Sequence, residues 1–406
     1  MKFNSIEDAI AEIKMGRPVI VVDDESRENE GDLIIAAEKA TVENIGFMVR
    51  YTSGILCVPM LEQDLDRLKL PMMVDHNTEK HQTAFTVSVD AKVGTSTGVS
   101  AHDRVRTIRA LIDSKSSPED LLRPGHIFPL KYKKGGVLKR AGHTEAGLDL
   151  AILAGFSPAA VISEIVNENG SVSKVKEIEK FSKDHNLKVI SIDGLIRYRH
   201  SHEKLVQCDS SARIPTDFGD FTAHSYTSLL DSTQHIAFVK GDVKNKKNVL
   251  VRVHSECLTG DVLGSRRCDC GKQLDLALKK ISEEGCGVLV YLRGHEGRGI
   301  GLKHKLRAYS LQDKGCDTVE ANEELGLPVD SREYGVGAQI LADLGLTSLR
   351  LMTNNPAKYS GLAGFGLEIV KREPLFSKPN PENINYLMTK QKKMGHLISR
   401  ELSEVK

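Results

Sequence analysis

Ile6, Ala9, Ile10 and Ile13 recur at helical spacing, Ser5 stands where a cap belongs with Asp8 behind it, and Gly16 ends the run. That pattern predicts an N-terminal helix. A β-branched run at 18–22 follows, and similar runs at 54–59, 84–89, 159–166 and 188–192 alternate with helix-period stretches at 144–154 and 174–184. Alternation of this kind predicts an α/β layered domain. The helical pattern of 193–205 closes the unit, and the polar segment 207–219, with Ser210, Ser211, Pro215 and Gly219, reads as a linker or a crossing into the next domain.

The pattern then begins again. Strand-like runs at 235–239 and 248–254 precede a helix at 271–284, a strand at 287–292, helices near 301–313 and 333–344, and strands at 348–352 and 367–370. The expected fold class is therefore α/β with an α+β-like layering, as two separate domains in tandem, 1–203 and 204–406. The Lys-rich tail beyond Pro379 and Pro381 is expected to be mobile at its end.

Composition narrows the function classes. The 406 residues suit two domains with proper cores, and a charged fraction of 27% with a net charge of +1 is that of a globular protein rather than a disordered one. No apolar run approaches the roughly 18–20 residues of a membrane span. The first residues lack the marks of a signal or transit peptide, which gives the cytoplasm as the expected location. Seven cysteines, an odd and sparse set, point to reduced thiols. Residues 1–203 carry 27 basic and 30 acidic side chains, and residues 204–406 carry 29 and 25. With 5% aromatics, neither half offers the basic, aromatic surface of a nucleic-acid binder.

Two constellations carry chemistry. Residues 23–32, DDESRENEGD, place six carboxylates and one arginine directly after the first strand, where α/β sheets put ligands. Composition alone reads this equally as a solvated acidic loop, but carboxylates so close repel unless a substrate or a hard cation such as Mg2+ or Mn2+ compensates them. At 135–145 glycines, Lys139, Arg140 and His143 open a helix, a plausible anion cradle or simply a capped helix start. In the second half Cys257, Cys268 and Cys270 offer three soft ligands beside Arg266 and Arg267. Either a catalytic zinc site with an open position or a closed knuckle completed by Cys286 or a histidine fits that spacing.

The first half closely resembles 3,4-dihydroxy-2-butanone-4-phosphate synthases from about residue 5 to 203. The likeness is carried by DDESRENEGD at 23–32, SGILC at 53–57, LPMMV at 70–74, TGVSA at 97–101, RPGHIFPL at 123–130 and RAGHTEA at 140–146. The resemblance implies that Glu28 and His143 hold Mg2+ or Mn2+. It also implies that Arg27, Glu28, Asp32, Arg140, Ala141, Gly142, His143, Thr144 and Glu164 contact ribulose 5-phosphate, with His126 and Glu164 essential. Cys57 matches a family cysteine lining this site, though a small buried hydrophobe accounts for it as well. One departure stands at Lys174, where the family usually has arginine; lysine keeps the charge but loses bidentate contacts.

The second half looks like GTP cyclohydrolase II from about residue 214 to 400, through RVHSECLTGD at 252–261, RCDCG at 267–271, HEGRGIGL at 295–302, DTVEAN at 317–322 and LMTNNP at 351–356. By resemblance Cys257, Cys268 and Cys270 bind Zn2+, which activates water for attack on the imidazole-ring carbon of guanine. Arg252, Val253, His254, Ser255, Glu256, Gln273, Glu296, Gly297, Arg298, Thr318, Thr353 and Lys358 would contact GTP. Asp330 would accept a proton, and Arg332 would act at the α-phosphate, either as the nucleophile of the family scheme or by stabilising the transition state. Taken together the resemblances imply a bifunctional riboflavin-biosynthesis enzyme with small-molecule substrates and homodimeric contacts. The rival expectations are that one half is an inactive scaffold, or that the protein is a zinc-dependent nucleic-acid binder.

Overall fold

The computed structural model describes residues 2–24, 27–327, 334–355 and 366–397. The chain divides into two compact units, Met1–Arg199 and His200–Lys406. The described residues of the first contain strands β1 (Val19–Val22), β2 (Gly31–Ala36), β3 (Leu56–Met60), β4 (Val89–Ala91), β5 (Leu121–Lys131), β6 (Ala160–Glu164) and β7 (Val189–Ser191). They form one mixed sheet in the order β4-β5-β3-β6-β2-β1-β7. Strands β1, β2 and β3 are buried on both faces, which is why they read as continuous apolar runs rather than alternating ones. The helix His143–Leu153 packs on this sheet with both its polar and apolar positions buried. Its first turn delivers His143 to the end of the sheet where β2 begins and β6 ends.

The second unit contains β8 (Val206–Thr216), β9 (Gly219–Ser228), β10 (Gln234–Lys240), β11 (Val249–Ser255), β12 (Gly287–Leu292), β13 (Ser348–Met352) and β14 (Glu368–Glu373), in the order β14-β13-β11-β12-β10-β9-β8. The pairs of β11 with β12, β11 with β13 and β13 with β14 are parallel, and the remaining pairs are antiparallel. Both units are thus α/β, as the periodicity predicts.

Two expectations need correction. The polar segment 207–219 is no linker: nearly all of it is β8, which pairs along its length with β9. As an edge strand it is exposed at almost every position, so it shows no apolar period, and Pro215 is tolerated where an edge demands no donor. The run at 84–89 forms only isolated bridges at Phe85 and Thr86 before β4 begins. The Lys-rich tail contains a helix, Ile384–Met394, anchored by fully buried Leu387; its last residues, 398–406, lie outside the described residues.

Candidate functional sites

In the first unit the acidic loop between β1 and β2 is organised from within. Buried Asp23 accepts the backbone N–H groups of Glu28 and Glu30, each at 2.9 Å, and the Arg27 guanidinium at 3.1 Å. One of the six acids is therefore spent on folding the loop. Two others, Glu28 and Asp32, meet at His143, whose Nδ1 lies 3.7 Å from an oxygen of each. Asp32 pairs in register with Glu164 across β2 and β6, and Ser53 donates to Glu164 at 2.8 Å.

Glu28, Asp32, His143 and Glu164 line a cavity of about 850 Å³ with Arg27, Arg140, Thr144 and Cys57. Burial pushes the Asp32 carboxyl up to about 7, with Glu164 and Glu28 adding to it and His143 opposing. Burial alone would pull His143 down, but Asp32, Glu28 and Asp23 outweigh it and lift the imidazole to about 9. For Glu28 the balance falls the other way: burial is outweighed by His143, Arg27 and His81, and the carboxyl drops to about 2. Burial and the neighbouring Glu164 and Asp32 push the Cys57 thiol well up, so it is an inert wall.

Two expected contacts stand aside from the cavity. Ala141 is exposed, while Gly142 is the residue before the helix, where a Cβ would sit 2.4 Å from the Arg140 guanidinium. Gly142 therefore permits Arg140 to fold back onto Glu145 at 2.7 Å and onto the His81 carbonyl at 3.1 Å. His126 is not brought in either. It lies four residues along β5 from the lining residue Leu130, about 13 Å at strand rise, and its half-exposed ring is held by Asp90 at 2.7 Å. Glu79, His81 and Thr83 also line the cavity; no spacing or motif in their polar segment marks them.

In the second unit Cys257 ends the turn after β11, and Cys268 and Cys270 lead into the helix Cys270–Glu284. Their three sulfur atoms lie within 4.8 Å of one another, with Cys257 and Cys268 3.8 Å apart. Tetrahedral zinc, with Zn–S about 2.3 Å, requires sulfurs about 3.8 Å apart, so the trio fits such an ion. Gly260 makes room for the trio, since a Cβ there would sit 2.7 Å from the Cys268 sulfur. Lys305 donates to the Cys257 sulfur at 3.1 Å and to Glu296 at 2.5 Å. Interactions with Cys268 and Cys270, together with this ammonium, hold the Cys257 thiol far below its ordinary range.

The trio opens on a cavity of about 1100 Å³ lined by Arg252, His254, Ser255, Glu256, Gln273, Gly297, Arg298, Thr318 and Thr353 from the expected set. Val253 instead points into the apolar core of the sheet. Glu296 acts behind the wall, accepting the Leu258 N–H at 2.6 Å as well as Lys305. Asp330, Arg332 and Lys358 lie outside the described residues. Lys305, Tyr309, Asn322, Tyr386 and Lys390 also line the cavity without having been singled out. Lys305 and Tyr309 follow the Gly-rich loop by one helical turn or two, a spacing that could have found them.

A carboxylate–imidazole centre in one α/β unit and a three-thiol centre in the other define a two-site enzyme. Residues 7–198 match the family model of 3,4-dihydroxy-2-butanone 4-phosphate synthase, and residues 207–374 that of GTP cyclohydrolase II. The bifunctional riboflavin biosynthesis protein RIBA 1, chloroplastic, of Arabidopsis thaliana is 62% identical over 397 residues, covering 97% of this chain and 73% of its own. The riboflavin biosynthesis protein RibBA of Nocardia farcinica is 57% identical over 397 residues, 97% of this chain and 96% of its own. A crystal structure of RibBX, a two-domain 3,4-dihydroxy-2-butanone 4-phosphate synthase from A. baumannii, covers 92% of this chain and 100% of its own at 35% identity and a TM-score of 0.70. The chain belongs to the family of bifunctional riboflavin biosynthesis enzymes, which join a 3,4-dihydroxy-2-butanone-4-phosphate synthase, a lyase, to a GTP cyclohydrolase II, a hydrolase. Among the described residues no helix is long and apolar enough to cross a membrane.

Proposed function

We propose that the cavity around His143 converts D-ribulose 5-phosphate to L-3,4-dihydroxy-2-butanone 4-phosphate and formate. The cavity around Cys257 hydrolyses GTP to 2,5-diamino-6-(5-phosphoribosylamino)pyrimidin-4(3H)-one, formate and pyrophosphate. The domains 1–203 and 204–406 carry the two activities in that order. The observation that supports this most is the convergence, in each unit, of a metal-compatible donor set with the residues its family motif marks.

In the first cavity Glu28 and His143 would hold Mg2+ or Mn2+; the buried His143 Nε2 and Asp32 Oδ1, neither of which makes a hydrogen bond, suit such an ion. When bound, the cation supplies Lewis acidity for charge developing on the sugar oxygens. The chain's own residues move the protons. Asp32, lifted to about 7, exchanges one near neutral pH, and Glu164 faces it across the strand pair. Arg27 and Arg140 bring positive charge for the phosphate, beside the backbone at the start of the helix from His143. His126, held by Asp90 outside this cavity, fits a homodimer in which each copy's pair serves the other's site.

In the second cavity Cys257, Cys268 and Cys270 would hold Zn2+, which supplies the acidic water that hydrolytic ring opening needs. Arg252, Gln273, Arg298, Thr318 and Thr353 bind and orient the nucleotide, and Lys305 offsets the charge of the thiolates. Asp330 is the proton acceptor, and Arg332 acts on the α-phosphate as pyrophosphate departs. A purely structural second unit is disfavoured because the three thiols line a cavity together with Arg252, Gln273, Arg298 and Thr353, whereas a closed structural zinc site would take a fourth protein ligand. A cytoplasmic location agrees with seven free cysteines.

Assaying the purified chain for formate separates the halves: release from ribulose 5-phosphate with Mg2+, and release from GTP with Zn2+, are both expected. Failure of either removes that half of the reading.

A further inference from the structure

The match to GTP cyclohydrolase II ends at residue 374, yet the cavity wall does not. Tyr386 and Lys390 of the helix Ile384–Met394 and the following His396 line it. This helix and the residues flanking it are fastened at separate points. Lys393 pairs with Asp317 and, at 2.8 Å, with Glu320, at the start of the helix that carries Thr318. The Leu397 N–H donates to the Asn354 carbonyl at 2.9 Å, and Asn380 donates to the Arg266 carbonyl at 3.2 Å.

The innermost fastening is Lys390. Its side chain is 11% exposed, lies over the Tyr386 ring at 4.4 Å, and donates to Asp269 Oδ1 at 2.7 Å. The other Asp269 oxygen accepts Gln273 Nε2 at 2.6 Å, and Gln273 Oε1 accepts the Arg252 guanidinium at 2.8 Å. Arg252 in turn donates to the Met352 carbonyl at 2.9 Å. An ionised carboxylate only accepts and a guanidinium only donates, so this chain of contacts fixes which way round the Gln273 amide stands. A glutamine held one way round presents a defined donor and acceptor, which is how a site recognises the edge of a purine base.

We propose that the tail helix is a working wall of the nucleotide site and that Lys390 is a positioning residue, acting through Asp269 to hold Gln273 in the orientation that recognises the guanine base. The inference rests on the reading of this cavity as a GTP site. Without the ammonium, Asp269 keeps its burial but loses its counter-charge, and Gln273 loses the partner that orients it. Lys390 touches neither the base nor the thiols in this role.

The test uses the full-length zinc-loaded protein. Lys390→Met should raise the KM for GTP about tenfold or more, the scale of one charged hydrogen bond, with a smaller fall in kcat, unchanged zinc content and unchanged formate release from ribulose 5-phosphate. Lys390→Arg should recover most of the loss, and Lys392→Met, exposed on the same helix, should change nothing. In a Gln273→Ala background, Lys390→Met should add no more than about a further twofold. A Lys390→Met enzyme with wild-type KM overturns the inference. So does full additivity with Gln273→Ala, which would make Lys390 an independent contact. A wild-type protein that releases no formate from GTP sinks the functional reading itself, a result distinct from either.

Discussion

Lys174 donates to the backbone carbonyl of Glu28 at 3.1 Å, and the same ammonium lies 3.2 Å from the Glu30 carboxylate. Lys174 therefore acts on the acidic loop, tying the Glu28 backbone and the Glu30 carboxylate to the start of the helix Val175–Asp184. Lys174→Met should leave that loop under its own repulsion and raise the Mg2+ concentration needed for half-maximal formate release from ribulose 5-phosphate. Because the lysine side chain is 49% exposed, the effect should be modest, about twofold to fivefold. Lys174→Arg should restore the wild-type requirement, and GTP turnover should not respond. An unchanged Mg2+ requirement in Lys174→Met would deny the residue this role.

His143 Nδ1 lies 3.7 Å from both Glu28 and Asp32, and replacing this residue separates the two activities. His143→Ala should abolish formate release from ribulose 5-phosphate and leave GTP ring opening near wild type. Loss of both reactions in a folded protein would defeat the two-site reading. His126→Asn should impair only the first reaction, and Asp90→Asn should reproduce part of that loss by releasing the ring it holds at 2.7 Å.

Cys268 lies 3.8 Å from Cys257 in a trio that depends on each member. Cys268→Ser should remove stoichiometric zinc and GTP ring opening together, as read by metal analysis and formate release, with the ribulose 5-phosphate reaction intact. Asp330→Asn should keep the zinc and slow the GTP reaction severely. Turnover by a zinc-free Cys268→Ser protein would refute the metal assignment.

Local chemistry made parts of this architecture legible. Ser5 accepts the Asp8 N–H at 3.1 Å as its position predicts, and the strands buried on both faces read as apolar runs because nothing polar survives there. β8 stayed hidden because a strand exposed almost throughout has no period to show. β5 carries no strand expectation, because Arg123, Pro124 and Gly125 interrupt any apolar alternation although they lie within the strand. The motifs pointed to both cavities but not to their long-range members. Asp269 lies inside the RCDCG motif, while Lys390, 121 positions away, sits among lysines that composition assigns to solvent. Of the apolar residues of this helix only Leu387 is buried, too little to mark the tail as packed.

The titration of His143 gives the last prediction. In the metal-free protein its imidazole is lifted to about 9 by Asp32, Glu28 and Asp23 against the cost of burial, so at neutral pH it carries a proton. A cation held by Glu28 and His143 needs the neutral ring and must displace that proton. Glu28, held down to about 2, is already ionised and releases none. Mg2+ affinity should therefore rise with pH, by up to about tenfold per unit while the imidazole stays protonated, and level off above about pH 9. Calorimetric titration at pH 8, where Asp32 is already largely ionised and His143 still largely protonated, should show close to one proton released per ion bound in buffers of different ionisation enthalpy, and in His143→Ala this release should vanish along with tight binding. Affinity that is flat between pH 7 and 9 would remove His143 from the ligand set.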